Sequence, residues 1–529
     1  MPTLRVLAGG EWHVVEATPG TSLREILDRT PWRVRTGCRG NGSCGLCRIQ
    51  VLSDPAPPET DADRLLLSRQ QLAGGVRLAC QIFPSADLDV RVVNPAPPSN
   101  WSRPGYRGAT AVPVAAPRSN LPEVAHPCGL AVDLGTTNIA LAIHDLDSGA
   151  CLSIGQGANP QAVHGADVMT RLCAAADSAA VASDLQRLAA DAVGDGILVC
   201  CGRDGINPRR IVAVRVVGNT AMLTLMAGGD PRWLLAPANW TGGRQVMPAP
   251  PEIWRGKWFI HGAAEISLVE PLGGFVGSDC LAGLVAIGIR EGASPALFVD
   301  FGTNTEIALW DGRRLLVTAG AGGPAFETGL GGIALPAEPG AIHHVGIDGA
   351  GLRYSVLPDG PPRGLCGSGL VDLLAVLVGN GTVDERGRLV DGKPFEFTVE
   401  GVTLRLEKAD IDVLQRAKAA LVAGIGVLCE EAGITAADLR RVAVAGRFGR
   451  YLSPASASAI GLLPPVPAVA VEIDGDAALA GCADILLSAD AGAEADRLRD
   501  LARVVNLGHH PSFERHFLAG LYLKPQDGG

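Results

Sequence analysis

GLAVDLGTTNIALAIHD (129–145) and, further along the chain, ALFVDFGTNTEIALWDG (296–312) share one pattern. Each is an apolar run, Val-Asp, a hydrophobic residue, Gly-Thr, polar residues and a second apolar run, which reads as two strands joined by a tight turn. The backbone N–H groups and hydroxyls of such a turn suit phosphate oxygens. An Asp just before it can hold Mg²⁺ directly or through water. Recurrence of the unit implies two related halves. Strands and helices alternate from Cys128 onward, so α/β layers are expected there. Near the end, Ile411, Leu414, Ala417, Leu421, Ile425 and Leu428 recur at three- and four-residue steps, predicting an amphipathic helix over 410–431. VAVAGRFGRYL (442–452) follows as a strand into a Gly turn. No G-x-x-x-x-G-K-[ST] occurs, which excludes a P-loop.

The N-terminal stretch has a different character. LRVL and HVVEA read as a hairpin, TSLREILD as a short helix, CRIQVL and DLDVRVV as strands. Between them lies TGCRGNGSCGLCRI, and Cys38, Cys44, Cys47 and Cys80 follow the spacing C-x5-C-x2-C-x32-C. Three thiolates on a Gly-rich loop and a fourth some thirty residues on suit a [2Fe–2S] cluster. Gly37, Gly40, Gly42 and Gly45 allow backbone N–H groups to turn toward the sulfurs. Structural zinc usually takes two C-x2-C pairs, whereas Cys80 stands alone; a disulfide pair is the other alternative. Residues 1–93 therefore read as a β-grasp [2Fe–2S] ferredoxin domain, its first spacing resembling the adrenodoxin-like variety. Residues 94–127 are Pro-rich and aperiodic, the pattern of a semi-extended linker that lets the cluster domain move.

Composition narrows the field. Of 529 residues, 47% are hydrophobic and 19% charged, enough apolar material for two to four cored domains. The net charge of −10 with 4% aromatics gives no nucleic-acid-binding stripe. The start MPTLRVLAGGEWHVVEA lacks a signal-peptide pattern, and no run of eighteen apolar residues predicts a membrane span. The remaining cysteines, among them Cys200, Cys201, Cys280, Cys429 and Cys482, read as reduced core thiols of a cytoplasmic protein.

The paired Asp-Gly-Thr hairpins with the late Ala-Gly-x-Phe-Gly turn resemble the phosphate-1, phosphate-2 and adenosine motifs of the ASKHA superfamily. The whole chain resembles the ferredoxin-fused ASKHA ATPases that reductively reactivate corrinoid proteins, the RACo-like activators. NPQ (159–161), GADVMTRL (165–172), VVGNTAM (216–222), GGFVGSD (273–279), AGGPAFETG (321–329) and GLCGSGLVDLLA (364–375) carry that likeness in family order. Departures are Thr328-Gly329-Leu330-Gly331 in place of an all-Gly run, Arg447 in the adenosine-type turn, and a somewhat short chain.

The resemblance implies an α+β ferredoxin domain, then ASKHA halves at 128–295 and 296–529 built as duplicated RNase H-like domains. It implies ATP and Mg²⁺, and a partner corrinoid protein of a methyltransferase system returned from Co(II) to Co(I). It further implies an electron donor for the cluster, with a homodimer possible. Cys38, Cys44, Cys47 and Cys80 would ligate the cluster, and Asp133 and Asp300 would organise Mg²⁺ and the attacking water. Gly135, Thr136, Thr137, Asn138, Gly302, Thr303 and Asn304 would hold phosphates. Gly367, Ser368 and Gly369 would meet phosphate or ribose, and Gly446, Phe448 and Gly449 would border adenosine. Glu306 either faces this site or is a solvated strand residue. Arg33, Arg35, Arg39 and Arg48 form a charged rim or a docking patch, and His343-His344 is read as loop without a metal role. Competing readings are an ASKHA small-molecule kinase with a redox sensor and a chaperone-like ATPase with a structural cluster. An oxygenase reductase would need flavin and NAD(P) segments, and no suitably placed G-x-G-x-x-G supplies them.

Overall fold

The computed structural model describes residues 2–526 except 9, 29, 31, 35–39, 41, 43, 44, 46, 96–100, 105–120, 243–249, 251, 303, 321–332, 349, 350, 359, 468 and 469, and describes Arg447 by its backbone. Cys38, Cys44, Gly37, Arg35, Arg39, Thr303 and the 328–331 turn thus lie outside the described residues.

The N-terminal unit is a five-stranded sheet. Its strands are β1 (Thr3–Ala8), β2 (Glu11–Glu16), β3 (Arg48–Val51), β4 (Val76–Leu78) and β5 (Leu88–Val92), in the order β2-β1-β5-β3-β4. β1 and β5 run parallel and the other neighbours antiparallel, the mixed pattern of a β-grasp sheet. The alternation that predicts the strands sends Leu4, Val6, Ile49, Leu78 and Val90 inward, where Leu23 and Leu27 of the helix Leu23–Asp28 close the core. Two short helices, Asp61–Leu66 and Arg69–Ala73, were not expected; capping boxes at Thr60/Asp63 and Ser68/Gln71 fix them.

The duplication is present in the rest of the chain. The first half contains β6 (Cys128–Leu134), β7 (Asn138–Asp145), β8 (Cys151–Ala158), β9 (Ile211–Gly218) and β10 (Glu265–Leu268), ordered β10-β9-β6-β7-β8. β6, β7 and β8 form an antiparallel meander, and β9 and β10 add in parallel beside β6. The second half repeats this with β11 (Ala296–Phe301), β12 (Thr305–Trp310) and β13 (Leu315–Gly320). Between meander and parallel strands it inserts β14 (Ala341–Asp348), β15 (Gly351–Val356) and β16 (Gly364–Leu365), then the hairpin β17 (Phe395–Val399) and β18 (Val402–Leu406). It resumes with β19 (Arg441–Ala445), β20 (Val471–Asp474) and β21 (Ala502–Val504), giving the order β20-β19-β11-β12-β13-β21. The amphipathic helix runs Lys408–Ala432, with Ile411, Leu414, Leu421, Ile425 and Leu428 buried. His343 and His344 correct the expected loop: they lie on β14, at a bulge. Asp372, fully buried, bonds the His344 ring at 2.5 Å and accepts from the Val345 N–H, which draws this segment into strand geometry.

In each half a helix follows the last parallel strand of the common plan: Ser278–Ala286 after β10 and Ala477–Leu487 after β20. These equivalent helices pack on one another between the sheets, and one apolar cluster joins Ala131 and Ala213 of the first sheet to Phe298 and Ala443 of the second. The approach is close. A Cβ on Gly481 would lie 1.8 Å from the Ala282 carbonyl oxygen, and one on Gly283 would lie 2.6 Å from the Phe298 ring. Helix Ala477–Leu487 lies against the first half's sheet, where the Cys482 thiol points at the Val132 and Arg215 carbonyls. Among the described residues no helix is long and apolar enough to cross a membrane.

Gly481→Ala should therefore destabilise the protein by about 1–3 kcal/mol or more through overpacking. Gly492→Ala, where an added methyl meets nothing within 4 Å, should stabilise its helix by about 0.5–1 kcal/mol. Denaturant midpoints at unchanged slope check both.

Candidate functional site

The two Asp-Gly-Thr turns open into one cleft of about 910 Å³, counted to its open mouth. Asp133 lies opposite Ala140 across β6–β7, and Asp300 lies opposite Glu306 across β11–β12. All four line the cleft, as do Gly135, Thr136, Thr137, Asn138, Gly302 and Asn304. The turns are too tight for side chains at their glycines: a Cβ would stand 2.7 Å from the Asn138 carbonyl oxygen at Gly135 and 3.1 Å from that of Asn304 at Gly302. Buried Asn159, of the NPQ motif, braces the first turn twice. Its backbone N–H donates to the Thr137 carbonyl at 2.9 Å and its side-chain amide donates to the Gly135 carbonyl at 2.8 Å.

Three helices of eight or more residues begin at this cleft. Asn219 caps Thr220–Ala227 by accepting from the Ala221 N–H. Ser278–Ala286 and Ala477–Leu487 begin without a side-chain cap, beside the cleft-lining Asp279 and Asp476. Converging helix N-termini offer unpaired N–H groups and positive dipole ends, a setting for phosphate. The side chains carry the opposite sign. Asp133, Asp279, Asp300, Glu306 and Asp476 line the cleft, and among the described residues no Lys or Arg does; Arg450 bonds Asp476 at the rim. Glu306 is a buried residue of the site, not a solvated strand position: it is 4% exposed and accepts from the Asn219 amide at 3.3 Å. Burial, then the charges of Asp279 and Asp300, hold its carboxyl well above the usual range. Burial likewise pushes Asp279 up to about 6. So many carboxylates face an anion productively only if a cation lies between. Among the described residues no three His, Cys, Asp or Glu side chains are grouped to hold a metal. The arrangement fits Mg²⁺ carried in on phosphates, with one or two carboxylates and water completing its shell.

Gly446 also lines the cleft, at φ +84, its Cα so near the second hairpin that a Cβ would meet the Phe301 carbonyl at 2.3 Å. Other expected contacts do not reach it. Phe448 is buried against Phe301, ring centroids 4.8 Å apart, and Gly449 packs on Val444. Gly367, Ser368 and Gly369 open a buried helix: Ser368 donates to the His343 carbonyl, and Gly369 lets the helix press on β14, where a Cβ would lie 2.2 Å from the Ile342 oxygen. These residues support the second half's core rather than line the cleft. Sequence reading missed Asn219, Asp279, Gly475 and Asp476, which do line it. The duplication carried the signal: by strand register Gly218 at the end of β9 is the counterpart of Gly446 after β19, and helix Ser278–Ala286 is the counterpart of Ala477–Leu487, the two beginning beside Asp279 and Asp476.

In the N-terminal unit the antiparallel β3–β4 pair brings Cys47 and Cys80 together: Cys47 precedes β3, Cys80 follows β4, and the Cys47 carbonyl accepts from the Ala79 N–H at 2.8 Å. Both are nearly buried. Gly40, Gly42 and Gly45 take φ of +94, +79 and +66. A Cβ on Gly40 would stand 3.6 Å from the Cys80 Cβ, and the Gln81 amide reaches the Cys80 sulfur at 3.5 Å. A loop with left-handed glycines and an N–H donor at sulfur fits a thiolate-held cluster. Arg48 flanks it and donates to the Gly45 carbonyl at 2.8 Å.

Comparison with known proteins accords with this geometry. Residues 7–85 match the 2Fe–2S iron–sulfur cluster binding domain, residues 128–292 the RACo middle region, and residues 294–528 the C-terminal domain of RACo, the ASKHA domain. The chain is 28% identical over 423 residues to the corrinoid activation enzyme RamQ of Eubacterium limosum, covering 74% of this chain and 69% of that one. It is 25% identical over 410 residues to the [Co(II) methylated amine-specific corrinoid protein] reductase of Methanosarcina barkeri, covering 71% and 72%. A solved reductive activator for corrinoid,iron–sulfur protein shares the fold, with a TM-score of 0.68 at 24% identity over 100% of this chain and 99% of that one.

Asn159→Ala should leave the Gly135 carbonyl unpaired and the first turn loose. Titration calorimetry with Mg²⁺ and a non-hydrolysable ATP analogue should read an affinity about tenfold weaker, or about 1.4 kcal/mol.

Proposed function

This chain belongs to the RACo family, and on that premise we propose that it is an ATP-dependent reductive activator. It returns an inactive Co(II) corrinoid protein to Co(I), in support of a corrinoid-dependent methyltransferase of methionine synthesis, demethylation or one-carbon metabolism. The observation that carries this reading is a cluster-binding domain joined in one chain to a cleft where two halves each present an Asp-Gly-Thr turn.

Cys38, Cys44, Cys47 and Cys80 would hold the [2Fe–2S] cluster, which when bound takes up and passes on one electron at a time. The Gln81 amide at the Cys80 sulfur and the burial of Cys47 and Cys80 tune the potential through donor contact and exclusion of water. An external donor, docking near the Arg33 and Arg48 rim, refills it.

ATP is the substrate of the cleft. The turns Gly135–Asn138 and 302–304 hold its phosphates from opposite sides, with the helix N-termini at 220, 278 and 477 adding N–H donors. Asp133 and Asp300 place Mg²⁺ and the attacking water, and Gly446 and Gly475 border the nucleoside. Because the two turns belong to different halves, a nucleotide bridging them favours the closed pairing of those halves. That closure is the handle by which ATP acts on a distant cobalt: the closed form holds the corrinoid protein in the state that accepts an electron. A ligand shifts such an equilibrium only by its differential affinity, so contacts made by one half alone contribute nothing to coupling. The buried free thiols Cys200, Cys280 and Cys482 support a cytoplasmic setting, where thiols stay reduced.

The test follows a purified corrinoid protein poised as Co(II), by absorbance under anaerobic reductant. Co(I) should form only with Mg²⁺ and ATP. Cys80→Ala should abolish Co(I) formation while ATP hydrolysis continues, and Asp300→Asn should lower hydrolysis by roughly 10²-fold or more. Equal reduction without ATP would overturn the reading. Removing Mg²⁺ with a chelator should abolish nucleotide binding as well as turnover, since the carboxylate-lined cleft then repels phosphate.

A further inference from the structure

The linker is not loose along its whole length. Pro95 still pairs with Val34 of the cluster domain. At Trp101 the chain is fixed to the first ASKHA half, where the indole fills a socket made by three glycines. A Cβ would stand 3.1 Å from the ring at Gly155, 3.0 Å at Gly157 and 2.4 Å at Gly196, so a methyl at Gly196 would collide with the indole and one at either other glycine would crowd it. Ser102 then pairs with Gln156 as an added strand on the edge of β8, its N–H donating at 2.8 Å and its carbonyl accepting at 2.9 Å. Arg103 lies 3.7 Å from Asp204. Pro104 and Gln156 line the nucleotide cleft itself. Further along the chain, Leu121 and Val124 pack on the core shared by the halves.

We propose that Trp101 is a positioning residue for electron delivery: seated in its socket, it sets the reach of the cluster domain from a point beside the nucleotide. This rests on the electron-delivery reading above. From Pro95 to Trp101 the chain can span about 20 Å, whereas from Pro95 to Leu121 it could span about 90 Å. Effective concentration falls roughly as the −3/2 power of tether length. Release of Trp101 therefore dilutes the cluster domain about tenfold around the ATPase halves.

The test uses the full chain with its cluster. Trp101→Ala should lengthen the maximum dimension in small-angle scattering and slow ATP-dependent Co(I) formation roughly tenfold. Its cluster absorbance should match wild type, the Co(I) formed per ATP hydrolysed should fall, and Trp101→Phe should recover much of the rate. Two insertions of ten Gly/Ser residues supply an independent arm should Trp101→Ala fold poorly. Placed after residue 98, before the anchor, the insertion should slow cobalt reduction about fourfold; placed after residue 112, beyond the anchor, it should change nothing. Unchanged scattering and rate in Trp101→Ala, or two insertions that act alike, would sink the proposal. If wild type itself fails to reduce the corrinoid protein, the functional reading falls, and the scattering comparison still decides whether Trp101 sets the reach.

Discussion

The contact between helices Ser278–Ala286 and Ala477–Leu487 is the constraint on which the remainder depends. Each helix closes its own half's strand plan, yet each leans on the neighbouring half. Gly481 lies against the Ala282 backbone, Gly283 against the Phe298 ring, and Cys482 beneath the first sheet. Side chains larger than a hydrogen atom at Gly481 and Gly283 would push the halves apart. Because the helices cross so closely, their N-termini come to the same place, and both hairpin turns face them across one cleft. The shape of the cleft is thus a consequence of helix packing, not of any single loop.

The cleft's electrostatics follow from the same convergence. Turns and helix starts supply N–H groups of positive character, while the side chains that fit between them are carboxylates. Burial raises Glu306 and Asp279, and among the described residues no Lys or Arg lines the cleft to offset it. An arrangement of this kind is poorly matched to a bare polyanion and well matched to a metal–polyphosphate pair. It gives selectivity through charge balance where a P-loop would use a lysine.

Much of this was legible in the sequence. The hairpins around Asp133 and Asp300 and the cysteine loop are local patterns whose chemistry depends on neighbours in the chain, and the ferredoxin strands alternate openly. What escaped reading depends on distant partners. Asn219, Asp279 and Asp476 reach the cleft only because parallel strands end there. Phe448 is drawn into the core by Phe301, and Gly367–Gly369 lie where a helix presses on β14, outside the described lining of the cleft. The helices Asp61–Leu66 and Arg69–Ala73 are too short for periodicity, and capping boxes were their one signal. Trp101 looked like part of a featureless linker because its socket is made of glycines from β8 and a later helix, residues that in one dimension suggest only turns.

The position of helix Ala477–Leu487 also has a bearing on how the molecule is made. Leu486 and Cys482 complete the apolar layer beneath β6 and β9, strands that leave the ribosome hundreds of residues earlier. During synthesis the first half waits with one face of its sheet uncovered until nearly the whole chain has emerged. Contacts of such sequence separation are slow to form, and the uncovered face is an aggregation hazard in the interval. The ferredoxin domain, whose core is closed by its own residues, has no such wait. The electron carrier is therefore finished first, and the nascent ATPase spends most of its synthesis in need of chaperoning.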